Sequence, residues 1–227
     1  MATSPEEKGF GQGSPELKRW AERVFHPEDE VLREIRSRAV AEGLPAIAVG
    51  KMDGLHLTTL ARAIGAKRAV EIGTLGGYSG VCLLRGMPDG RLDTFELEPK
   101  NAAVAQASFE KAGVAARVKI HIGPAAEKLH EIEKEGPFDL VFIDADKTGY
   151  PTYLTWAEEH LRVGGIVLLD NAFGWGGVVD PSKEEESHRA MVQALAATAE
   201  RLGAPNGRWH ATMIPTEEGL AFGVKVR

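Results

Sequence analysis

The sequence predicts an α/β fold of the Rossmann-like, doubly wound type, with a mostly parallel sheet and helices on both faces. Short β-rich runs alternate with helical segments from residue 68 onward, a pattern typical of parallel sheets covered on both sides. The two closing β-rich runs are separated only by residues 215–219, too few for a crossover helix, so we expect a C-terminal antiparallel hairpin. Helical patterns before residue 43 predict an N-terminal helical extension.

The individual elements follow from the periodicity of apolar residues along the chain. The predicted strands are residues 69–72, 92–97, 118–122, 140–143, 166–169, 209–214 and 220–226. Helical segments are predicted at residues 14–23, 29–42 and 184–202, and in the last of these Val192, Leu195, Ala199 and Leu202 share one face. The first 13 residues, rich in Gly, Ser, Glu and Pro, are expected to form a mobile N-terminus, and residues 14–227 a single domain.

Composition excludes several classes of function. The chain has 227 residues, 43% of them hydrophobic, and no apolar run approaches the roughly 20 residues that a membrane span needs. The net charge of -6 argues against general nucleic-acid binding. The single cysteine, Cys82, is interpreted as a small buried side chain, and no secretory signal pattern opens the sequence, so we expect a cytoplasmic protein.

The first predicted strand runs into a glycine-rich turn, which reads Glu-Ile-Gly-Thr-Leu-Gly-Gly-Tyr-Ser from Glu71 to Ser79. Such a turn lets a ligand approach the backbone and then opens a helix. Leu75 occupies the place of the second glycine in the dinucleotide motif, which favours a cofactor with an adenosyl group and no pyrophosphate over a nicotinamide dinucleotide. The alternative is a purely structural turn.

Glu96 ends the second predicted strand, 23 residues after Gly73. This is close to the spacing at which an acidic residue accepts the hydroxyls of a cofactor ribose. The alternative is that an acid this close to Pro99 caps the next helix.

Asp144 and Asp170 follow the ends of two successive apolar strands, and Lys147 lies three residues after the first of them. Because parallel neighbours lie about 4.8 Å apart, both carboxylates can reach one hard cation. The alternatives are two helix caps or two solvated strand ends. The seven histidines show no zinc-like spacing.

Three motifs together resemble the cation-dependent class I O-methyltransferases, the family of catechol and caffeoyl-coenzyme A O-methyltransferases. They are the turn from Glu71 to Ser79, the run Val-Phe-Ile-Asp-Ala-Asp-Lys ending at Lys147, and Leu-Asp-Asn ending at Asn171. The resemblance extends from Val49 to the C-terminus and is strongest to the bacterial small-molecule branch. It implies S-adenosylmethionine as methyl donor, a divalent ion that is usually Mg²⁺ with Mn²⁺ or Ca²⁺ as options, and a homodimer.

The resemblance also implies roles for individual residues. Asp144, Asp170 and Asn171 correspond to metal ligands, and Lys147 to the lysine that takes the proton beside Asp144. The donor pocket corresponds to Val49, Glu71, Gly73, Thr74, Ser79, Glu96, Ala125, Asp144 and Asp146. Lys147, Asn171 and Trp175 correspond to residues on the acceptor side, although relatives commonly place that tryptophan one position earlier.

The function expected from these residues is transfer of a methyl group from S-adenosylmethionine to one hydroxyl of a catechol-like small molecule, with the help of a divalent metal. One alternative is a metal-independent methyltransferase acting on another small-molecule nucleophile. A second is an adenosyl-ligand-binding module without catalysis. The sequence leaves open the acceptor, the hydroxyl chosen, the use of a coenzyme A ester and the native metal.

Overall fold

A computed structural model describes residues 14–227, so the expectation for the first 13 residues lies outside the described part of the chain. The strands are β1 (Arg68–Ile72), β2 (Arg91–Glu96), β3 (Val118–Ile122), β4 (Phe138–Ile143), β5 (Leu161–Leu169), β6 (Trp209–Ile214) and β7 (Leu220–Lys225). The helices are α1 (Pro15–Phe25), α2 (Glu30–Ala41), α3 (Lys51–Ala63), α4 (Tyr78–Gly86), α5 (Pro99–Lys111), α6 (Ala125–Lys128), α7 (Tyr150–His160) and α8 (Glu186–Leu202). Short 3₁₀ turns lie in several of the connections.

All seven strands form one sheet in the order β3-β2-β1-β4-β5-β7-β6. Strands β1 to β5 pair in parallel, and β7 pairs antiparallel with both β5 and β6. The predicted fold class, including the C-terminal hairpin, is therefore confirmed. β7 lies between β5 and β6, which brings the turn that precedes it to the carboxyl end of β5.

The structure shifts several predicted boundaries by a few residues, and two of these shifts concern β5 and β2. The strand predicted at residues 166–169 begins at Leu161, because Leu161 pairs with Phe138 before a register irregularity that interrupts the apolar pattern. The strand predicted to end at residue 97 ends at Glu96, and the Leu97 side chain is exposed. The helical extension begins at capping residues within the predicted segments, since Ser14 and Asp29 accept hydrogen bonds from Leu17 and Leu32 backbone nitrogens.

The core lies on both faces of the sheet. Alternate residues of β4 point to opposite faces, with Leu140 and Phe142 in one apolar cluster and Val141 and Ile143 in the other. The first cluster packs against α2 to α5, and the second against α7 and α8. No helix within residues 14–227 is long and apolar enough to cross a membrane.

The order of strands reverses between β1 and β4, because the chain continues from β1 outward to β2 and from β4 outward to β5. Ligands of open α/β sheets bind in the crevice outside the carboxyl ends of the strands at such a point. Gly73 and Asp144 follow these two strand ends, and their backbones lie in close contact.

A substitution of Gly73 by alanine is expected to be strongly destabilising. Gly73 has a φ of 102°, and a Cβ atom there would lie 1.9 Å from the carbonyl oxygen of Asp144. Backbone strain and overpacking together should cost ~3 kcal/mol or more of unfolding free energy. The matched control is Gly65→Ala, because Gly65 also has a positive φ but no atom within 4 Å of the added Cβ. Urea unfolding should show a loss of only about 1 to 2 kcal/mol for the control, and equal losses in the two variants would contradict this account.

Candidate active site

The turn after β1 is held by a buried network of hydroxyls and a carboxyl. Thr94 donates a 2.6 Å hydrogen bond from its Oγ1 to Glu71 Oε2, and the Oγ1 atoms of Thr74 and Thr94 are also 2.6 Å apart. Glu71 is completely buried, and its Oε1 has no hydrogen-bond partner within residues 14–227. Burial raises the pKa of Glu71 to about 7, and the hydroxyls of Ser79 and Thr94 oppose this shift. The structure thus brings Glu71, Thr74 and Ser79 together beside Gly73, as the resemblance implies.

Glu96 connects the ends of β1 and β2. Its Oε2 accepts a 2.7 Å hydrogen bond from the backbone nitrogen of Leu75, which has a φ of 47°. Its Oε1 accepts from the backbone nitrogen of Glu98 at 2.9 Å and from Asn101 Nδ2 at 3.2 Å. Each carboxylate oxygen can accept more than one hydrogen bond, so these contacts orient Glu96 and leave it able to accept ribose hydroxyls.

The remaining residues assigned to the donor pocket lie on three separate segments. Val49 is buried just before α3, and its carbonyl accepts a 3.0 Å hydrogen bond from Arg36 Nη2. Ala125 is the first residue of α6 and is partly buried. Asp146 is exposed and accepts a 2.6 Å hydrogen bond from the hydroxyl of Tyr153.

Asp144 and Asp170 follow β4 and β5 at equivalent positions, because Ile143 and Leu169 are partners in the parallel register. Asp170 is only 3% exposed. Burial raises the pKa of Asp170, and the negative charge of Asp144 raises it further. Asn171 comes next with a φ of 53°, and its side chain lies close enough to Glu218 to oppose the rise in the pKa of that carboxyl.

These residues fit a hard divalent cation. Two carboxylates repel each other in a buried setting, which a cation between them would relieve, and an amide oxygen completes a set of three oxygen donors. Within residues 14–227, no group of three or more His, Cys, Asp or Glu side chains is placed to hold a metal ion. The fit therefore depends on Asn171 as well as on the two aspartates.

Lys147 lies directly beside Asp144. Its Nζ donates to Asp144 Oδ1 at 2.8 Å and to the hydroxyl of Tyr150 at 2.8 Å. That hydroxyl lies 3.1 Å from the carbonyl oxygens of Ile143 and Asp170, to which it donates in turn. Tyr150 is fully buried and so fixes Lys147 between the ends of β4 and β5.

Comparison with known proteins identifies the family. Residues 22–226 match the family model described as O-methyltransferase. The chain belongs to the O-methyltransferase family. The predicted family and enzyme class are confirmed, and the protein is an S-adenosylmethionine-dependent O-methyltransferase.

Individual relatives of this O-methyltransferase carry more specific names. A Mycobacterium tuberculosis protein named catechol O-methyltransferase is 40% identical over 203 residues, which cover 89% of each chain. A Niastella koreensis protein of the same name is 40% identical over 180 residues, covering 78% of this chain and 80% of its own. The crystal structure of the O-methyltransferase TomG from Streptomyces achromogenes, in complex with S-adenosylmethionine, superposes with a TM-score of 0.83 at 35% identity, covering 94% of this chain and 100% of that chain.

Three residues near the carboxyl ends of β4 and β5 of this O-methyltransferase were not identified as site residues from the sequence. They are Tyr150, Glu218 in the turn before β7, and Asp53 in the first turn of α3. Burial raises the pKa of Glu218, and the charges of Asp144 and Asp53 raise it further. Glu218 reaches this edge because β7 pairs antiparallel with β5 and so begins where β5 ends, a pairing that the predicted hairpin alone does not specify. Asp53 carried no sequence signal, because only tertiary packing brings α3 to the sheet.

Trp175, assigned to the acceptor side of the O-methyltransferase, is 64% exposed and has a φ of 53°. It lines a cavity of about 260 Å³ together with Glu184, His188 and Met191. Because an aromatic residue rarely adopts a positive φ, the backbone of Trp175 in this loop after β5 is strained. No hydrogen bond, ion pair or ring contact within the described residues joins Trp175 to Asp144, Asp170 or Lys147.

The raised pKa of Glu71 predicts a pH-dependent stability. An unfolded glutamate ionises near 4.5, whereas the folded one ionises at about 7, so the folded state holds the proton longer. Stability contributed by this group is therefore full below pH 4.5 and is lost as pH rises toward 7, by an amount of roughly 3 kcal/mol. As pH rises from 5 to 8, the free energy of unfolding of wild type should fall relative to that of Glu71→Gln by most of this amount. Urea unfolding at both pH values measures this difference, and a difference that does not change with pH would contradict the prediction.

Proposed function

We propose that this O-methyltransferase requires a divalent metal and methylates one hydroxyl of a vicinal dihydroxy aromatic small molecule. The observation that carries the proposal is the convergence of Asp144, Asp170 and Lys147 at the ends of two neighbouring parallel strands. The names of the relatives from Mycobacterium tuberculosis and Niastella koreensis support a catechol as acceptor. Mg²⁺ is the ion we propose, because the donors are all oxygens and too few to enclose a larger ion.

The donor half of the pocket positions S-adenosylmethionine. Glu96, oriented by Leu75 and Glu98, accepts the ribose hydroxyls. Glu71, whose Oε1 has no partner within residues 14–227, offers a hydrogen-bond acceptor to the methionine end. At Gly73 and Thr74 the backbone comes close to the donor, and Ser79 lies beside Glu71. We also assign Val49, Ala125 and Asp146 to the donor half.

The acceptor half lowers the cost of forming a phenolate. Ionising a phenol with a pKa near 10 at pH 7 costs roughly 4 kcal/mol. A divalent ion held by Asp144, Asp170 and Asn171 would supply a stabilising term of that size and orient two neighbouring hydroxyls.

Lys147 moves the proton in this proposal. Its Nζ, held by Asp144 and Tyr150, first gives up one of its own protons to solvent, and as the neutral amine it then accepts the proton from the acceptor hydroxyl. The resulting oxygen attacks the methyl carbon of the donor, the carbon–sulfur bond breaks with its electron pair remaining on sulfur, and S-adenosylhomocysteine leaves. The protein's other contribution is to hold the two substrates in line.

The experiment that tests the acceptor class compares two isomers. Purified protein is incubated with S-adenosylmethionine, MgCl₂ and either 1,2-dihydroxybenzene or 1,3-dihydroxybenzene, and products are identified by mass spectrometry. We expect a single methyl group on the 1,2-isomer and at least 100-fold slower reaction of the 1,3-isomer, because only vicinal oxygens can reach one ion. Equal rates for the two isomers would reject the vicinal requirement.

The homodimer implied by the resemblance is also part of the proposal. Light scattering during size-exclusion chromatography should give twice the mass of one chain. If the mass at micromolar concentration equals that of one chain, the homodimer proposal is rejected, and the proposed methyl transfer is unaffected.

A further inference from the structure

We propose that Arg36 is a positioning residue for the methyl donor. Its guanidinium holds residues 44–50, the strap, beside the glycine-rich turn after β1. The strap is the last part of the connection between α2 and α3. This inference rests on the proposed donor half of the site, because Val49 belongs to both. It gives a function to an ionic network that the methyl-transfer chemistry itself does not use.

The strap begins in direct contact with the glycine-rich turn. A Cβ atom added at Gly76 would lie 3.0 Å from the Cβ of Ala39, near the end of α2, and 3.8 Å from Cδ2 of Leu44. Leu75 packs against the same small apolar cluster that contains Ala39 and Leu44. Because ligands of such a sheet bind at the carboxyl ends of its strands, a segment packed on this turn borders the donor site.

The strap has few backbone hydrogen bonds of its own. Within residues 14–227, no backbone nitrogen of residues 45–50 donates to another backbone group. The carbonyl oxygens of Ala48 and Val49 accept instead from Arg36, at 3.3 Å from Nη1 and 3.0 Å from Nη2. Since buried backbone groups need partners, this one guanidinium fixes the end of the strap that contains the buried Val49.

Arg36 is itself held in place from the side of the turn. Its Nε donates to Glu28 Oε1 at 3.0 Å, and the same oxygen accepts a 2.8 Å hydrogen bond from the Tyr78 hydroxyl. The guanidinium also lies over the ring of Tyr78, with Cζ 4.3 Å from the ring centroid. Tyr78 is the first residue of α4 and directly follows the glycines of the turn. The strap and the turn are thus joined through a single guanidinium.

A strap that is already in place favours donor binding. If the strap were loose in the free protein, donor binding would have to order it, and that cost would appear as lost affinity. The rate of transfer from bound donor would be unaffected. Lysine at position 36 keeps the positive charge but lacks the planar fork that reaches two carbonyls and a carboxylate at once. Arg36→Lys therefore removes the positioning and leaves the charge.

The test is calorimetric titration with S-adenosylhomocysteine, which requires neither metal nor acceptor. We expect Kd to be roughly tenfold higher for Arg36→Lys than for wild type, and severalfold higher for Glu28→Gln. The double variant should bind about as well as Arg36→Lys alone, because both residues act through the same strap. The matched control is Arg38→Lys, since Arg38 lies on the same helix, is similarly buried and binds Glu34; it should keep the wild-type Kd.

Two further measurements separate positioning from a general structural role. In methyl transfer to 1,2-dihydroxybenzene, Arg36→Lys should raise KM for S-adenosylmethionine roughly tenfold and leave kcat and KM for the catechol within about twofold. Thermolysin, which cleaves before exposed apolar residues, should cut the donor-free variant before Ile47 faster than wild type, because Ile47 is 68% exposed and the strap is looser. Saturating S-adenosylhomocysteine should slow this cleavage in both proteins.

An unchanged Kd for S-adenosylhomocysteine in Arg36→Lys, or an equal loss in Arg38→Lys, would overturn the inference. So would unchanged cleavage before Ile47, or a fall in kcat as large as the rise in donor KM. Urea unfolding shows whether each variant folds, and if Arg36→Lys does not, Glu28→Gln decides alone. Absence of methyl transfer to the catechol by wild type, with S-adenosylhomocysteine still bound, would instead reject the proposed function, and the calorimetric comparison would still decide the role of Arg36.

Discussion

Replacing Lys147 by methionine is expected to lower kcat by about 100- to 10,000-fold, the range typical of losing a general base. The side chain is 11% exposed, and its Nζ lies between Asp144 and the buried Tyr150. Methionine is close to lysine in length and removes only the amine. Affinity for S-adenosylmethionine, measured by calorimetry, should change by no more than about threefold, since Gly73 and Glu96 of the donor half lie at the ends of β1 and β2 and have no hydrogen bond to Lys147.

Two further variants separate proton transfer from charge. Lys147→Arg keeps a positive charge beside Asp144 but cannot give up a proton, so it should be as impaired as the methionine variant. Lys134→Met, at an exposed position, should retain wild-type activity. Recovery of most activity in Lys147→Arg would mean that the lysine acts only as a counter-charge.

Asp170→Asn is expected to abolish the effect of Mg²⁺ on both stability and turnover. Ligand binding to the folded state stabilises it by about 2.7 kcal/mol at 100 times Kd, so wild-type Tm should rise with added MgCl₂. The variant should show no such rise and at least about 100-fold lower kcat at the same Mg²⁺ concentration. Without metal its Tm should not fall below that of wild type, because the substitution removes the repulsion between Asp170 and Asp144.

The matched control is Asp89→Asn, since Asp89 is an exposed aspartate just before the amino end of β2, at the edge of the sheet opposite the site. It should keep the Mg²⁺-dependent rise in Tm. If Asp170→Asn still gains stability from Mg²⁺ as wild type does, the ion is not bound by Asp170.

The sequence was sufficient to predict the parallel core of the fold. Apolar runs such as Leu140 to Ile143 are buried on both faces and read as continuous strands, and the five-residue gap before β7 leaves only a hairpin. The extent of β5 was not predictable, because Gly164 and Gly165 interrupt its apolar pattern and Leu161 pairs with Phe138 across a register irregularity. The position of β7 between β5 and β6 also depends on tertiary packing.

The candidate site, like the fold, was predictable from the sequence only in part. Asp144 and Asp170 could be placed side by side, because carboxyl ends of parallel strands meet at one edge of the sheet. Tyr150 has a local signal, since it lies three residues after Lys147 where a helix begins, yet its role depends on two carbonyls from different strands. Asp53 comes from a helix whose approach to this edge is set by packing of α3 on α4, and no local pattern encodes that contact.

The central claim is that methyl transfer by this protein depends on a divalent ion at Asp144, Asp170 and Asn171. Its most direct test is the rate of methyl transfer from S-adenosylmethionine to 1,2-dihydroxybenzene by protein stripped with excess chelator, before and after addition of Mg²⁺. The account predicts at least a 100-fold loss of rate in chelator and full recovery with Mg²⁺. An undiminished rate in excess chelator would contradict it.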